Sequence, residues 1–354
     1  MSLFRRILRI VMIVILAVFV IIAIGLYFYT QPDQYVYNDY KGALDLAIEE
    51  KYDIQTLELE DDYEGEVVAT LLKHPPLDST KKAVLYIHGY SDYFFHDHMA
   101  QWYVDQGYNF YALDLRKHGR SWLPHQRPCI IKNVNEFFEE IDMALDIIEK
   151  DGHDFILMNG HSNGGLVTSI YLTESPNSDR VDAVFLNSPF FRWPFDDSFN
   201  TFIHYLSRVA TIRPFGTAPN QYGTTYAETL HAEFGKEWDY NKGCKPHRGF
   251  PKYLAWFKAV EDAQQKVIKG LDIQQPILVL SSDETYKGTT YTPEAEQSDL
   301  ILWVEHIEKY TPNLGKNVTY AQVPDAMHDL FLSSKEVRAV AFEKLGEWLK
   351  EVEE

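Results

Sequence analysis

At 354 residues, 45% of them hydrophobic, the chain is long enough for one large domain or two small ones and can bury a sizeable core. Its 52 acidic and 33 basic side chains leave a net charge of −19, which excludes bulk neutralisation of nucleic-acid phosphates and keeps a folded body soluble and off anionic lipid surfaces. The two cysteines, Cys129 and Cys244, are not in a C-x-x-C arrangement and read as free thiols, with one long-range disulfide open if the body is exported.

The first element is an unbroken apolar run over residues 10–29, whose twenty residues at about 1.5 Å each match the roughly 30 Å hydrocarbon core of a bilayer. Arg5, Arg6 and Arg9 precede it, and Gln31, Pro32, Asp33 and Asp39 follow. The positive-inside rule then places residues 1–9 in the cytoplasm and the body on the far side of the membrane, with Tyr27 and Tyr29 at the level of an interfacial aromatic belt. A cleaved signal peptide is the competing reading, with Ala23-Ile24-Gly25 as a small-x-small site; the length of the run beyond that site favours an uncleaved anchor. Residues 30–53 read as a tether with a short helix over 44–50.

From residue 54 to the C-terminus the pattern is that of one large domain. Alternating residues predict strands over 54–60 and 66–72, with Glu64-Gly65 turning between them. Continuous apolar runs predict buried strands over 83–87, 109–113, 155–158, 183–186 and 276–280, and a last strand is expected over 318–323. Amphipathic spacing predicts helices over 94–106, 134–150, 294–310 and 334–352, and another from Leu166. Short apolar strands alternating with helices imply an α/β fold, a mostly parallel eight-stranded sheet with helices on both faces. The rhythm breaks over about 190–270, a stretch rich in aromatic residues and too long for a connection, which reads as an inserted, mostly helical and irregular cap.

The stretch that carries chemistry is Gly160-His161-Ser162-Asn163-Gly164-Gly165, a G-x-S-x-G set between a predicted strand and a predicted helix. A serine at the tip of so tight a turn is held in strained backbone geometry with its hydroxyl exposed, and the helix N-terminus behind it points N–H groups at developing negative charge. No dinucleotide fingerprint appears, and no lysine follows at phosphate-loop spacing. His96-Asp97-His98 lacks a third metal ligand at suitable spacing and reads as a solvated helix start. No cofactor or metal is expected.

At this point the sequence resembles the α/β-hydrolase fold, and most closely the branch of monoacylglycerol lipases, lysophospholipases and serine aminopeptidases. The residues that carry the resemblance are His88-Gly89 after the third strand, the Asp114 to Ser121 run in the form D-x-R-x-H-G-x-S, the G-H-S-x-G-G elbow, and Ala326-Met327-His328-Asp329 after the last strand. It covers about residues 54–352, is weak across the cap and excludes the apolar N-terminus.

The resemblance implies a Ser-His-Asp triad in the chain order Ser, Asp or Glu, His. Ser162 is the expected nucleophile and His328 the expected base. Asp283, which follows the 276–280 strand through Ser281-Ser282, is the expected acid, with Glu284 adjacent and Asp299 the runner-up; Asp325 and Asp329 flank His328 too closely to orient it. The oxyanion hole is expected from the backbone N–H of Asn163 and, by family position, that of Tyr90. His161 supports the elbow, while Asp114 and Arg116 fix the loop beside the site. The implied activity is hydrolysis of a small lipophilic acyl ester, of monoacylglycerol or lysophospholipid type, through an acyl-enzyme intermediate, with the membrane as partner through the N-terminal helix and no nucleic-acid partner. The same triad serves an aminopeptidase, with Asp196, Asp197 or Glu228 offered to a substrate amine, or an acyltransferase; a tethered binding module that kept only the fold is the third reading.

Overall fold

The computed structural model describes residues 3–29, 46–77, 80–208, 210–218 and 223–353. The apolar N-terminal run is helix α1 (Leu3–Tyr29), which starts ahead of the expected residue 10 because the helix continues back through Arg9, Arg6 and Arg5. Its Phe4–Ala23 segment has a mean hydropathy of 2.8, none of that window is buried, and it is long and apolar enough to cross a membrane. The side chains of Tyr27 and Tyr29, and the expected tether over 30–45, lie outside the described residues.

In chain order the folded body then runs α2 (Leu46–Lys51), β1 (Asp53–Glu58), β2 (Val68–Lys73), β3 (Lys82–Ile87), α3 (Asp97–Asp105), β4 (Asn109–Asp114), α4 (Phe138–Lys150), β5 (Phe155–His161), α5 (Asn163–Glu174), β6 (Ala183–Asn187), α6 (Asp197–Ser207), β7 (Thr217–Ala218), α7 (Thr225–Leu230), β8 (Lys252–Tyr253), α8 (Leu254–Lys269), β9 (Ile277–Ser282), α9 (Val304–Tyr310), β10 (Val318–Val323) and α10 (Lys335–Val352). Eight strands form one sheet in the order β1-β2-β4-β3-β5-β6-β9-β10. β2 is antiparallel to both neighbours, and every later pairing is parallel.

The two-residue period of the strands divides the core. Leu85, Ile87, Met158, Val184 and Leu186 face one layer, closed by α4, α5 and α8. Val84, Tyr86, Leu157, Phe185 and Leu280 face the other, closed by α3 and α10. Both faces of the central strands are buried, which is why they read as unbroken apolar runs. All carboxyl ends of the parallel strands therefore open at one edge of the sheet, where ligands of open α/β sheets bind. The segment between β6 and β9 covers that edge with α6, α7, the β7–β8 ribbon and α8; Trp256, Ala259 and Val260 of α8 join the α5-side core.

Three expectations need correction. The helix expected over 294–310 is instead a single 3₁₀ turn (Pro293–Glu296), an irregular stretch, and the shorter α9. The helix expected from Phe94 begins at Asp97. His96 is not solvated: it is fully buried, and its Nε2 lies 2.9 Å from Asp329 Oδ2. Cys129 and Cys244 are both free and buried.

Candidate active site

Ser162 sits between the end of β5 and the start of α5 with φ 52° and ψ −116°, a region that non-glycine residues rarely occupy. The surrounding backbone holds it there. The Ser162 N–H donates to the Asn187 carbonyl at 2.9 Å, while its own carbonyl accepts from Gly165, Leu166 and Phe190. The neighbouring glycines are required by contact. A Cβ on Gly164 would lie 2.3 Å from the Ile87 carbonyl oxygen and 2.4 Å from that of His88, and one on Gly160 would lie 2.8 Å from the Gly165 Cα. A Cβ on Gly89 would lie 3.2 Å from the Ser162 Cβ, so the loop carrying Tyr90 passes directly over the serine.

His328 follows β10 and brings its ring to the serine from far along the chain. Its Nε2 is 2.9 Å from Ser162 Oγ, and its Nδ1 is 2.8 Å from Asp299 Oδ2. The ring is buried, and the Asp299 side chain is completely so. Asp299 Oδ1 accepts the backbone N–H groups of Ile301 and Leu302, each at 2.8 Å, which fixes the carboxylate plane. This geometry makes an imidazole that can take a proton from the hydroxyl while a buried carboxylate holds its far nitrogen.

The expectation for Asp283 is corrected. Its side chain is exposed and accepts from the Asp325 N–H at 3.0 Å, at the surface rather than beside His328. The chain runs past the end of β9, makes an excursion over 287–298, and returns so that Asp299 bridges Thr285 in parallel and its backbone pairs with Glu284 and Tyr286. Asp299 therefore reaches the carboxyl edge of the sheet from the return limb. A helix assigned across 294–310 hides that return, although the short interval between β9 and Asp283 signals that the acid is further on.

Behind the pair lies a second buried polar group. Asp329 accepts from His96 and, through Oδ1, from Asn187 Nδ2 at 2.9 Å; His161 Nε2 lies 3.7 Å from it. Burial alone would raise the Asp329 carboxyl, but His161, His96 and Lys245 outweigh it and hold it well below the usual range. Burial lowers His161 to about 4, so it stands neutral behind the serine and supports the elbow through Asn187. Asp92, two residues after Tyr90, is buried against Lys245 at 2.6 Å; its desolvation is outweighed by that ammonium and it is held at about 2. Asp114 accepts from the Phe94 N–H and from Arg120, and Arg116 is clamped by Glu140 and Glu139. Both fasten loops beside the site.

A cavity of about 610 Å³ opens over Ser162 and His328, within the range of small-molecule sites. Its wall is mostly apolar, with Phe190, Trp193, Ile203, Leu206, Trp256 and Phe257 on the cap side. Asp196, Asp197 and Glu228 do not line it; Asp196 instead caps α6 through the Phe199 N–H. His231, Glu233 and His247 of the cap lie close enough together to share an ion, but His231 Nδ1 already accepts from the Glu233 N–H and its Nε2 faces the Tyr240 carbonyl.

Comparison with known proteins places this architecture. The fold is similar to a soluble variant of monoglyceride lipase from Saccharomyces cerevisiae solved with a substrate analogue: 17% identity, TM-score 0.59, with 85% of this chain and 96% of that one covered. It is also similar to monoacylglycerol lipase from Paleococcus ferrophilus at 16% identity and TM-score 0.56, covering 85% and 99% of the two chains. A carboxyl esterase from Bacillus coagulans aligns at 12% identity and TM-score 0.58, covering 84% and 98%. No curated protein is significantly similar in sequence. The family described as serine aminopeptidase, S33, matches residues 78–284, more than half of the chain. An elbow serine on an eight-stranded α/β-hydrolase sheet agrees with that match, and the chain belongs to the serine aminopeptidase S33 family, as a serine hydrolase of the α/β-hydrolase fold.

Proposed function

We propose that this protein is a membrane-anchored hydrolase of carboxylic esters with a lipophilic acyl chain, working through an acyl-enzyme at Ser162. The observation that carries the reading is the continuous contact from Ser162 Oγ to His328 Nε2 and from His328 Nδ1 to Asp299. Ser162 Oγ attacks the ester carbonyl while His328 Nε2 takes its proton, and Asp299 keeps the imidazole in the tautomer that can accept it. The carbonyl oxygen, now an oxyanion, takes hydrogen bonds from the backbone N–H groups of Asn163 and Tyr90, each lowering the barrier by about 3 kcal/mol. His328 returns the proton to the departing alcohol. Water, deprotonated by the same imidazole, then releases the acid and restores the serine.

The apolar wall of the cavity suits an acyl chain. Two of the similar folds belong to proteins named as lipases of monoacylglycerols. The apolar helix α1 holds the site at a bilayer, and Ala23 near its end lines the same cavity. Residues 1–9 lie in the cytoplasm and the catalytic domain on the opposite side, in keeping with Arg5, Arg6 and Arg9. An aminopeptidase needs a carboxylate free to meet the substrate amine. Among the described residues of the cavity wall the acid is Asp92, already engaged by Lys245, which favours the ester.

The test is fluorophosphonate labelling of the full-length protein and of Ser162→Ala, followed by p-nitrophenyl esters of increasing chain length. Labelling of wild type alone, with kcat/KM rising with chain length, is expected. Undiminished ester hydrolysis by Ser162→Ala would overturn the reading.

A further inference from the structure

We infer that Lys245 and Asp92 are positioning residues for the reaction: their buried ion pair ties the loop 89–92 to the cap and aims the Tyr90 N–H at the carbonyl oxygen of a bound ester. This rests on the hydrolase reading above and concerns how its oxyanion hole is built.

The two halves of that hole are held in different ways. Asn163 is set by the sheet and α5, whose backbones meet at Gly160 and Gly164. Tyr90 belongs to a loop that leaves the end of β3, and Ser91 within it takes φ 52°, a left-handed conformation that costs a serine energy. One side of the Tyr90 peptide is pinned by His88. Its Nε2 accepts the Leu115 N–H at 3.0 Å, so Nδ1 carries the proton and donates to the Gly89 carbonyl at 2.8 Å. In a trans peptide the N–H points away from that carbonyl. The other side is pinned by the cap segment 245–251. Lys245 Nζ bonds Asp92 Oδ1 at 2.6 Å, the Phe250 N–H donates to Ser91 Oγ at 2.9 Å, and Tyr90 Oη donates to the Pro251 carbonyl at 2.8 Å. The Tyr90 ring also packs on Trp256 of α8, with centroids 4.0 Å apart.

Of these contacts the ion pair is the charged one, and both partners are buried. Lys245 Nζ lies 5.2 Å from the ring centroid of Phe95 and 5.7 Å from those of Tyr226 and Tyr240, which screen it from water. Tyr226 in turn stands edge-on to the His328 ring at 6.1 Å. Desolvation would raise the Asp92 carboxyl, but Lys245, ahead of His96, His161 and His88, outweighs it and keeps the carboxylate ionised. A buried ion pair is a poor source of net stability, since apolar side chains of similar volume often do as well. What this one supplies is a fixed direction between cap and loop. Removing either partner leaves the other charge uncompensated, and the loop shifts to solvate it. That shift is felt where the oxyanion develops, in the transition state, and little in the bound ester.

The experiment measures kcat and KM of the full-length protein for p-nitrophenyl butyrate and for its thionoester, with C=S in place of C=O, per active site counted by exhaustive fluorophosphonate labelling. Sulfur accepts hydrogen bonds weakly, so the thionoester draws little on the oxyanion hole. In Lys245→Met and in Asp92→Asn, kcat on the oxygen ester is expected to fall about 30-fold or more with KM within about threefold, and the oxygen-to-thiono ratio of kcat/KM to fall about tenfold or more. The double variant should be no worse than either single one, because the two residues act as a unit. Lys245→Arg, which keeps the cation, should keep most of the ratio. If Lys245→Met does not fold, Asp92→Asn, which preserves shape, decides by the same ratio. Fewer labelled sites with a wild-type ratio at each, or equal losses on the two esters, would show a structural role alone and overturn the inference. Wild type that neither labels nor cleaves the oxygen ester would refute the hydrolase reading instead.

Discussion

At the scale of single residues, the two aspartates make the sharpest contrast. Asp299 is buried and bonded to His328, whereas Asp283 is exposed and bonded only to a loop N–H. Asp299→Asn keeps the shape but presents a donor to Nδ1 and favours the wrong imidazole tautomer, so kcat should fall by about 10³–10⁴-fold. Asp283→Asn should stay within about twofold, because surface changes away from a site cost little. A steady-state assay of both variants on one p-nitrophenyl ester decides this; a large loss in Asp283→Asn with a small one in Asp299→Asn would reverse the assignment. Buried histidines set a second expectation. Burial lowers His161 and His98 to about 4 and His118 to about 3, against roughly 6.5 in an unfolded chain. Between those values the unfolded chain binds protons that the folded chain refuses, so stability rises with pH there and is lost on acidification from about 6.5 toward 4. Each such group removes up to about 1.4 kcal/mol per pH unit. The urea midpoint should accordingly drop between pH 7.5 and pH 5, and an unchanged midpoint would show that these rings are protonated in the fold.

At the scale of elements, the strand–serine–helix turn depends on close packing of backbone on backbone. Gly164→Ala would press a methyl group into the carbonyl oxygens of Ile87 and His88, which belong to the end of β3 and cannot swing aside as a side chain can. A loss of about 2–3 kcal/mol in stability is expected, together with loss of fluorophosphonate labelling, because the same contact sets the distance from Ser162 to the Tyr90 loop. Thermal melting and labelling of this variant, with Gly270→Ala as a control at a site where an added Cβ meets nothing within 4 Å, check the argument. The Gly270 control carries its own cost from φ 101°, so it is the loss of labelling at Gly164 that separates the two.

At the scale of the whole molecule, α1 and the hydrolase body differ in what buries their apolar surface. Apart from its end, where Ala23 lines the cavity, the Phe4–Ala23 segment lies outside the body's packing, whereas the body has its own two-layer core on either side of the sheet. Removing residues 1–29 should therefore move the protein from the membrane fraction to the soluble fraction and leave short-chain ester hydrolysis within about threefold, read by fractionation and assay of the truncated chain. In the full-length protein, a C-terminal tag should be cleaved by protease added outside intact cells. Protection of the tag until the membrane is opened would place the body in the cytoplasm and contradict the positive-inside reading.

The elements whose signal is local were legible from residues alone. Continuous apolar strands, the G-x-S-x-G turn and the apolar N-terminal helix are set by short-range periodicity and by side chains that admit few conformations. His328, whose Nε2 the structure brings to Ser162 Oγ, was singled out through the family resemblance of Ala326-Met327-His328-Asp329 together with its loop just past the last strand. Asp299 stood only as the runner-up, because its place depends on where an irregular excursion returns to the sheet, which no periodicity encodes; the burial of His96 was hidden for the same reason. Those features depend on contacts between segments tens to hundreds of residues apart, such as Asp329 with His96 and Lys245 with Asp92, and only the packed chain brings such groups within hydrogen-bond reach.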